Sequence, residues 1–337
     1  LYHDMGLIAC LLLPAYFGIP FAHLDAFEWV ARPELLFAAI EAHRGTLVWQ
    51  PDFAFAHLAA RVSGARRYDL SAMRAFINCA EPCRAESFAG FLDRFAASGV
   101  KREMLQSCYA MAESVFAVSQ TAPGSVPRTR MIGAPKRPAM ALGRPIAGIE
   151  VSVRRRDGRE ARDGEIGEIA LRGAFTLKGY FRNPGLTSDR IRAGWYLTRD
   201  LGCVIDGEIH VVGRRDDVLI VHGRNLHAGE IEAAIAALGL TRPGRAVAFT
   251  HHDARHGGNG LVILAERRRQ GGLDDDAIIG RIAVHIRAMF DVQPREVRLV
   301  PPGFIVKTTS GKVSRQGNRR KYLAAIAWAK EAALAQA

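Results

Sequence analysis

Between residues 32 and 113 the chain alternates amphipathic helical runs with short apolar runs, and few folds accept that pattern. Residues 32–43 (RPELLFAAIEAH) repeat apolar positions at helical spacing, 46–50 (TLVWQ) read as a strand, and 52–62 (DFAFAHLAARV) return to helical spacing. An apolar strand over 73–80 ends in a loop, an amphipathic helix is expected over 84–97, and 104–113 reads as a strand running into a loop. Parallel neighbours need a crossover connection, so this alternation predicts a mostly parallel sheet with helices around it. Ligands of such sheets bind where loops leave the C-terminal strand ends.

The texture changes further along. Residues 121–138 are rich in Pro, Gly, Ser and Arg and are expected to form a loop. From 144 to 213, short β-like runs punctuated by Gly and Asp predict a small antiparallel, barrel-like or sandwich unit. A third texture starts near Asp216: a strand at 217–223, a helix at 228–238, strands at 245–251 and 261–267, a helix around 274–290, a strand at 296–302 and a basic C-terminal helix. The expected fold class is therefore mixed α/β and α+β. It comprises a partial αβ-layered subdomain (1–138), a β-rich subdomain (139–215) and a hinged, mobile α+β domain (216–337).

Composition narrows the partners. With 337 residues, 49% hydrophobic and 24% charged, the chain is neither disordered nor a small disulfide scaffold. The net charge of +12 raises a nucleic-acid partner. The basic runs at 154–156, 267–269 and 319–321 lack the interleaved aromatics of a base-stacking platform, so no nucleic-acid partner is expected. The five cysteines are odd in number and form no Cys-x-x-Cys pair, which fits reduced thiols and a cytoplasmic setting. Residues 5–22 are apolar enough to raise a membrane span, but Gly6, Pro14, Gly18 and Pro20 interrupt them. A buried helix and turn is expected there. The chain opens on Leu1 inside this apolar stretch, and it is read as the C-terminal part of a longer protein.

Four segments carry polar chemistry. In Gln106–Glu113, at a strand end, a tyrosine can stack on a base and a carboxylate can hold a phosphate-bound Mg²⁺; a capping Glu would look the same. In Gly194–Gly202, Asp200 has the acceptor capacity for both hydroxyls of a ribose, or forms an ordinary Asx turn. Gly213–Glu232 packs charges at a texture boundary, which suits a hinge or a solvated turn. Val306–Arg315 invites a P-loop reading, but that motif needs Gly at 306 and Ser or Thr at 313, where Val stands at both. What remains is Lys312 on a small-residue loop.

The order and spacing of these segments resemble the adenylate-forming superfamily of acyl-CoA synthetases, fatty acyl-AMP ligases and adenylation domains, and most of all its fatty acyl-AMP ligases. Leu1-Tyr-His-Asp-Met-Gly6 is similar to the family's histidine motif, Asn78-Cys-Ala-Glu-Pro82 to its Asn-Gly-Ala-Glu-Pro segment, and Tyr109-Ala-Met-Ala-Glu113 to Tyr-Gly-Met-Ala/Thr-Glu. Gly167-Glu168, Gly179-Tyr180, Asn183–Thr187, Trp195–Gly202, Gly213–Glu232 and Thr308–Arg315 follow in the family's order.

The resemblance implies ATP-dependent conversion of a fatty or other apolar acid to an acyl-adenylate. Transfer to a carrier-protein thiol follows, with CoA as the alternative acceptor and a non-catalytic AMP-binding homologue as a further reading. It implies that Ala80, Glu81, Pro82 and Tyr109 hold adenine and that Glu113 binds Mg²⁺. Asp200 and Arg214 hold the ribose, and Asp216 is the hinge. Lys312 contacts the carboxylate and α-phosphate, His3 lines the junction of the acyl and phosphate sites, and Gly223 borders the acceptor tunnel. The family's glycine-rich pyrophosphate loop is not in these residues, which fits N-terminal truncation; alone, the chain is expected to bind ATP poorly and turn over slowly, if at all. Ala110, Arg199 and Val306 depart from the family's usual Gly, Gly and Pro, and Ala112 from the Thr of many members.

Overall fold

The computed structural model describes all residues except 2, 65, 134–135, 222–223, 254–257, 269–272, 309–310 and 336–337, and not the side chains of 252–253, 258–259 and 327–335. The chain divides into two compact units, Leu1–Val212 and Gly213–Ala337.

The first unit opens with a π-helical segment, Met5–Leu12, running into helix α1 (Leu13–Tyr16). The expected helix and turn are there, but the expected burial is not. Ala9 is the one buried residue of the two segments, while Tyr16, Phe17, Ile19 and Phe21 are exposed. One face, carrying Met5, Ile8 and Ala9, packs with Trp49, Cys79 and Phe116. Among the described residues no helix is long and apolar enough to cross a membrane.

Helices α2 (Ala26–Ala31) and α3 (Glu34–His43) lead to β1 (Leu47–Gln50), α4 (Asp52–Arg61), β2 (Ala75–Asn78), α5 (Ala85–Phe95) and β3 (Leu105–Ala110). Strands β1, β2 and β3 pair in parallel, with Gln50 beside Asn78 and Asn78 beside Ser107. Both registers end at the same edge, so the loops after β1 and β2 leave together. Helix α5 places Phe88, Phe91 and Phe95 on one stripe. That stripe meets Phe37, Phe55 and Phe76, with ring centroids 4.7–5.2 Å apart in the tightest edge-on pairs. Strands β4 (Ala117–Gln120) and, further on, β7 (Arg144–Pro145) extend the sheet antiparallel.

The stretch expected to be a loop at 121–138 contains an antiparallel pair instead, β5 (Thr129–Ile132) with β6 (Arg137–Met140). Its apolar residues are few among Arg and Pro, but Ile132 and Ala139 are buried with Cys203, and Gly133 turns the chain at φ 84°. The expected antiparallel β unit is present as β8 (Ile149–Arg154), β9 (Gly167–Gly173), β10 (Ile191–Arg192), β11 (Trp195–Ile205) and β12 (Glu208–Arg214). It forms one five-stranded sheet in the order β10-β11-β9-β8 with β12 beside β11. Helix α6 (Pro184–Arg190) starts with Pro at its first position and Asn183 capping Leu186 N–H.

The second unit begins with the hairpin β13 (Val218–Val221) and β14 (Arg224–His227), then α7 (Ala228–Ala237). A three-stranded sheet follows, β15 (Thr241–Asp253) antiparallel to β16 (Gly258–Arg267), which runs parallel to β17 (Glu296–Val300). Its strands are apolar on both faces because helices cover both. Ala246, Ala248, Leu261, Ile263 and Ala265 pack with Ile231 and Ile235 of α7 and with Ile278, Ile282 and Ile286 of α8 (Asp275–Phe290). The alternate residues Val247, Phe249, Val262 and Leu264 pack with Tyr322 of α9 (Arg315–Ala335). The period of two along the strands assigns each residue to its helix layer.

Candidate nucleotide site and lysine loop

In the first unit the loop after β2 carries Ala80, Glu81 and Pro82. Ala80 lies in the left-handed region at φ 71°, a conformation a non-glycine residue takes only when its surroundings impose it. Two carboxylates do so. Asp52, at the start of α4, is buried and accepts from Asn78 Nδ2 (2.7 Å), Arg84 N–H (3.0 Å) and Ser87 Oγ (2.8 Å). It thereby holds both flanks of the loop and caps α5 from outside that helix. Glu81 reciprocates by accepting from Phe53 N–H at 3.0 Å, in the first turn of α4. Asp52 sits at the N-terminus of α5 and Glu81 at that of α4, where backbone N–H groups are unsatisfied and the dipole favours negative charge. Glu81's side chain is thus a cap, and Pro82 is exposed.

Tyr109, near the end of β3, is buried, and its hydroxyl donates to Asp200 Oδ2 at 2.5 Å. Asp200 reaches it because β11 bulges. Between the pairs Leu197–Ala170 and Leu201–Glu168, three residues of β11 oppose Ile169 alone. The bulge is fixed from within. Arg199, at φ 66°, donates its N–H to the buried Glu168 at 3.0 Å. Thr198 Oγ1 accepts Asp200 N–H at 3.0 Å and donates to Ile169 O at 2.8 Å. Gly202 is required, since a Cβ there would lie 2.2 Å from His210 O.

Glu113 occupies a short turn after β3, and its carbonyl accepts Leu177 N–H at 2.7 Å. Its carboxylate accepts from Tyr180 OH at 3.2 Å, and the Tyr196 hydroxyl lies 3.1 Å from that of Tyr180. Burial, with the neighbouring carboxylate, raises both phenols above their ordinary range and keeps them protonated as donors. Among the described residues no cluster of three His, Cys, Asp or Glu could hold a metal. A single partly exposed carboxylate fits Mg²⁺ that takes its other oxygens from phosphates and water. His3 Nδ1 lies 2.6 Å from Asp4 Oδ1.

The structure thus joins Tyr109 to Asp200 directly, and binds Glu113 to two tyrosines that sequence reasoning gave no role. Thr198 and the Glu168 carboxylate were also without a role there, although Glu168 beside Gly167 in a β run was a visible signal.

The second unit carries Arg214 at the end of β12, Asp216 in the short turn before β13, and Lys312. Gly213, at φ 154°, leaves no room for a side chain, since a Cβ would sit 2.5 Å from His227 Nδ1. Lys312 is exposed on a loop closed by Thr308 N–H donating to Lys312 O at 2.7 Å. Gly223 lies outside the described residues.

The end of β3 in the parallel sheet thus meets the bulge of β11 in the antiparallel one, through an aromatic ring and a carboxylate. The model of the AMP-binding enzyme family matches residues 1–181, and the chain belongs to that family. A putative ligase of Mycobacterium tuberculosis is 31% identical over 93% of this chain and 61% of its own length. The medium-chain-fatty-acid–[acyl-carrier-protein] ligase JamA of Moorena producens is 29% identical over 96% of this chain and 60% of its own length. The chain therefore spans about three fifths of the length of the curated relatives it matches. A structure from a study of fatty acyl-adenylate ligases of E. coli and L. pneumophila aligns with a TM-score of 0.87 at 27% identity, covering 97% of this chain and 61% of that one. The L. pneumophila fatty acyl-adenylate ligase in complex with acyl adenylate and pyrophosphate aligns with a TM-score of 0.64 at 25% identity, over 96% and 61%.

Proposed function

We propose that the protein containing these residues activates a fatty or other apolar carboxylic acid with ATP, releasing pyrophosphate, and passes the acyl group to the phosphopantetheine thiol of a carrier protein. The observation that carries this reading is the 2.5 Å bond between Tyr109 and Asp200, which puts a ring and a charged acceptor at one strand end. The ring stacks on adenine against the backbone of Ala80, Glu81 and Pro82. Asp200 accepts from the ribose hydroxyls, with Arg214 assigned to the same sugar. Glu113 would hold Mg²⁺, which supplies charge neutralisation at the phosphates. The names of the relatives, a medium-chain fatty acid ligase acting on an acyl-carrier protein among them, support the acid and the acceptor.

A carboxylate is a poor electrophile, and attack on the α-phosphate turns it into a mixed anhydride with AMP as leaving group. Negative charge builds at phosphorus in that step, and a fixed cation offsets it. Lys312 is assigned that role. Two unit charges 4 Å apart at an effective dielectric near 20 attract by about 4 kcal/mol. His3 lines the acyl and phosphate junction, Asp216 serves as the pivot between half-reactions, and Gly223 borders the thiol path.

The test is titration with a non-hydrolysable acyl-sulfamoyl adenosine of varied chain length, followed by acid-dependent pyrophosphate exchange and thiol transfer to holo-carrier protein or CoA. Binding lost in Tyr109→Ala together with transfer to the carrier protein supports the reading. Transfer to CoA alone replaces the acceptor, and analogue binding unaffected by Tyr109→Ala refutes the site.

A further inference from the structure

Lys312 is exposed, yet the loop that bears it is held by buried groups on both legs. On the entry leg, the fully buried Glu266 accepts from Gly303 N–H and Ile305 N–H, each at 3.0 Å. The fully buried Asn318, in the first turn of α9, then clamps both legs. It accepts Val306 N–H at 2.8 Å and donates to Val306 O at 2.9 Å and Ser314 O at 2.8 Å. Lys307 and Val313 bridge across the loop.

The exit leg ends at Arg315, whose side chain is 17% exposed. Its Nε donates to Ala248 O at 3.0 Å in β15. Its Nη2 donates to both carboxylate oxygens of Glu232 in α7, at 2.9 and 3.1 Å, and its Nη1 donates to Asp217. Glu232 in turn accepts Ala248 N–H at 3.0 Å. Burial pushes the Glu232 carboxyl up, and Arg315 opposes that shift. A planar guanidinium spreads five donors over three nitrogens in a fixed fork and so reaches acceptors on three elements, a span that the three donors of an ammonium, all on one nitrogen, do not match.

Asp217 follows Asp216, the residue assigned as pivot, and Arg315 stands three positions after Lys312. We infer that Arg315 is a positioning residue that ties the 215–217 turn to the lysine loop and so fixes where the backbone of Lys312 stands. The consequence for adenylation rests on the role proposed for Lys312; the tie does not.

The test compares Arg315→Lys and Asp217→Asn by hydrogen–deuterium exchange of the intact chain, with β16 as internal control. In Arg315→Lys, exchange rises together in peptides containing Asp217 and Lys312 by roughly tenfold or more, the scale of one lost charge-assisted hydrogen bond, while β16 is unchanged. Asp217→Asn, which keeps an acceptor oxygen but removes the charge from a partly exposed contact, preserves the fold and speeds exchange at Lys312 even if Arg315→Lys does not fold. Acid-dependent pyrophosphate exchange falls about 10–100-fold in Arg315→Lys through kcat, with KM for ATP little changed, as expected of a misplaced group. Acyl transfer from preformed adenylate is largely spared. Exchange that rises at one segment alone, or equally in β16, overturns the tie, as does unchanged exchange at Lys312 in Asp217→Asn. If the full-length wild-type protein containing these residues shows no acid-dependent pyrophosphate exchange, the role of Lys312 fails while the hydrogen–deuterium exchange arm still decides the tie.

Discussion

Replacing Asp52 with alanine tests whether the loop carrying Ala80 is held by its carboxylate. Three donors lose their acceptor: Asn78 Nδ2, Arg84 N–H and Ser87 Oγ. They are not equally exposed. Asn78 is fully buried, so its amide is left unsatisfied at about 2–3 kcal/mol. Arg84 is exposed and Ser87 partly so, and water can reach them, leaving about 0.5–1 kcal/mol each. The expected loss is about 3–5 kcal/mol, a large part of a domain's typical 5–15 kcal/mol. Urea unfolding followed by tryptophan fluorescence reports mainly on the first unit, which holds Trp29, Trp49 and Trp195. With a slope of about 2–3 kcal/mol/M, the midpoint falls by about 1–2.5 M. Asp52→Asn keeps one acceptor oxygen and loses roughly half as much. A midpoint shift in Asp52→Ala below about 0.3 M at unchanged slope would refute the reasoning.

Tyr109→Phe keeps the ring and removes the hydroxyl bonded to Asp200, so affinity for an acyl-adenylate mimic falls about 3–10-fold by calorimetry, against a much larger loss in Tyr109→Ala. Lys312→Ala lowers acid-dependent pyrophosphate exchange by roughly 10²–10³ while sparing transfer from preformed acyl-adenylate, and equal losses in both steps reject its role. Phe249→Ala empties a buried position on the α9 face of the second unit and costs about 3–5 kcal/mol in denaturant unfolding of that unit. His210 is buried with Nδ1 donating to Ala139 O at 3.2 Å, and burial lowers its pKa from 6.5. The unfolded imidazole therefore takes up its proton first. Stability of the first unit falls as pH drops below about 6.5, and His210→Gln flattens that dependence in thermal melts between pH 7 and 5.

The parallel sheet is legible because β1, β2 and β3 are short apolar runs separated by helical spacing, a local signal. The two-faced strands of the second unit are legible for the same reason, as continuous apolar runs such as LVILAER. The β5–β6 pair is hidden because its buried residues, Ile132, Ala139 and Met140, stand among Arg and Pro with no strand-like alternation. Burial of residues 5–22 is misjudged because an apolar run reports what could be covered, not what covers it. Within the site, the residues of the Tyr109–Asp200 bond can be picked from their motifs, but their contact spans 91 positions and depends on a bulge that no local pattern announces. The mutual caps of Asp52 and Glu81 join positions 28 to 35 apart, and an acidic residue beginning a helix looks like any other until its distant donors are known.

Ala80, Val115 and Arg199 all hold left-handed backbones, and they lie in or beside the loop after β2, the Glu113 turn and the Asp200 bulge. Each costs the folded chain on the order of 1–2 kcal/mol relative to an ordinary conformation. Glycine would remove that cost at every one of them, yet it would also widen the range of shapes the free loop samples. These three segments are therefore places where less contorted sequence and a sharper resting geometry pull in opposite directions, and this chain sits on the side of geometry.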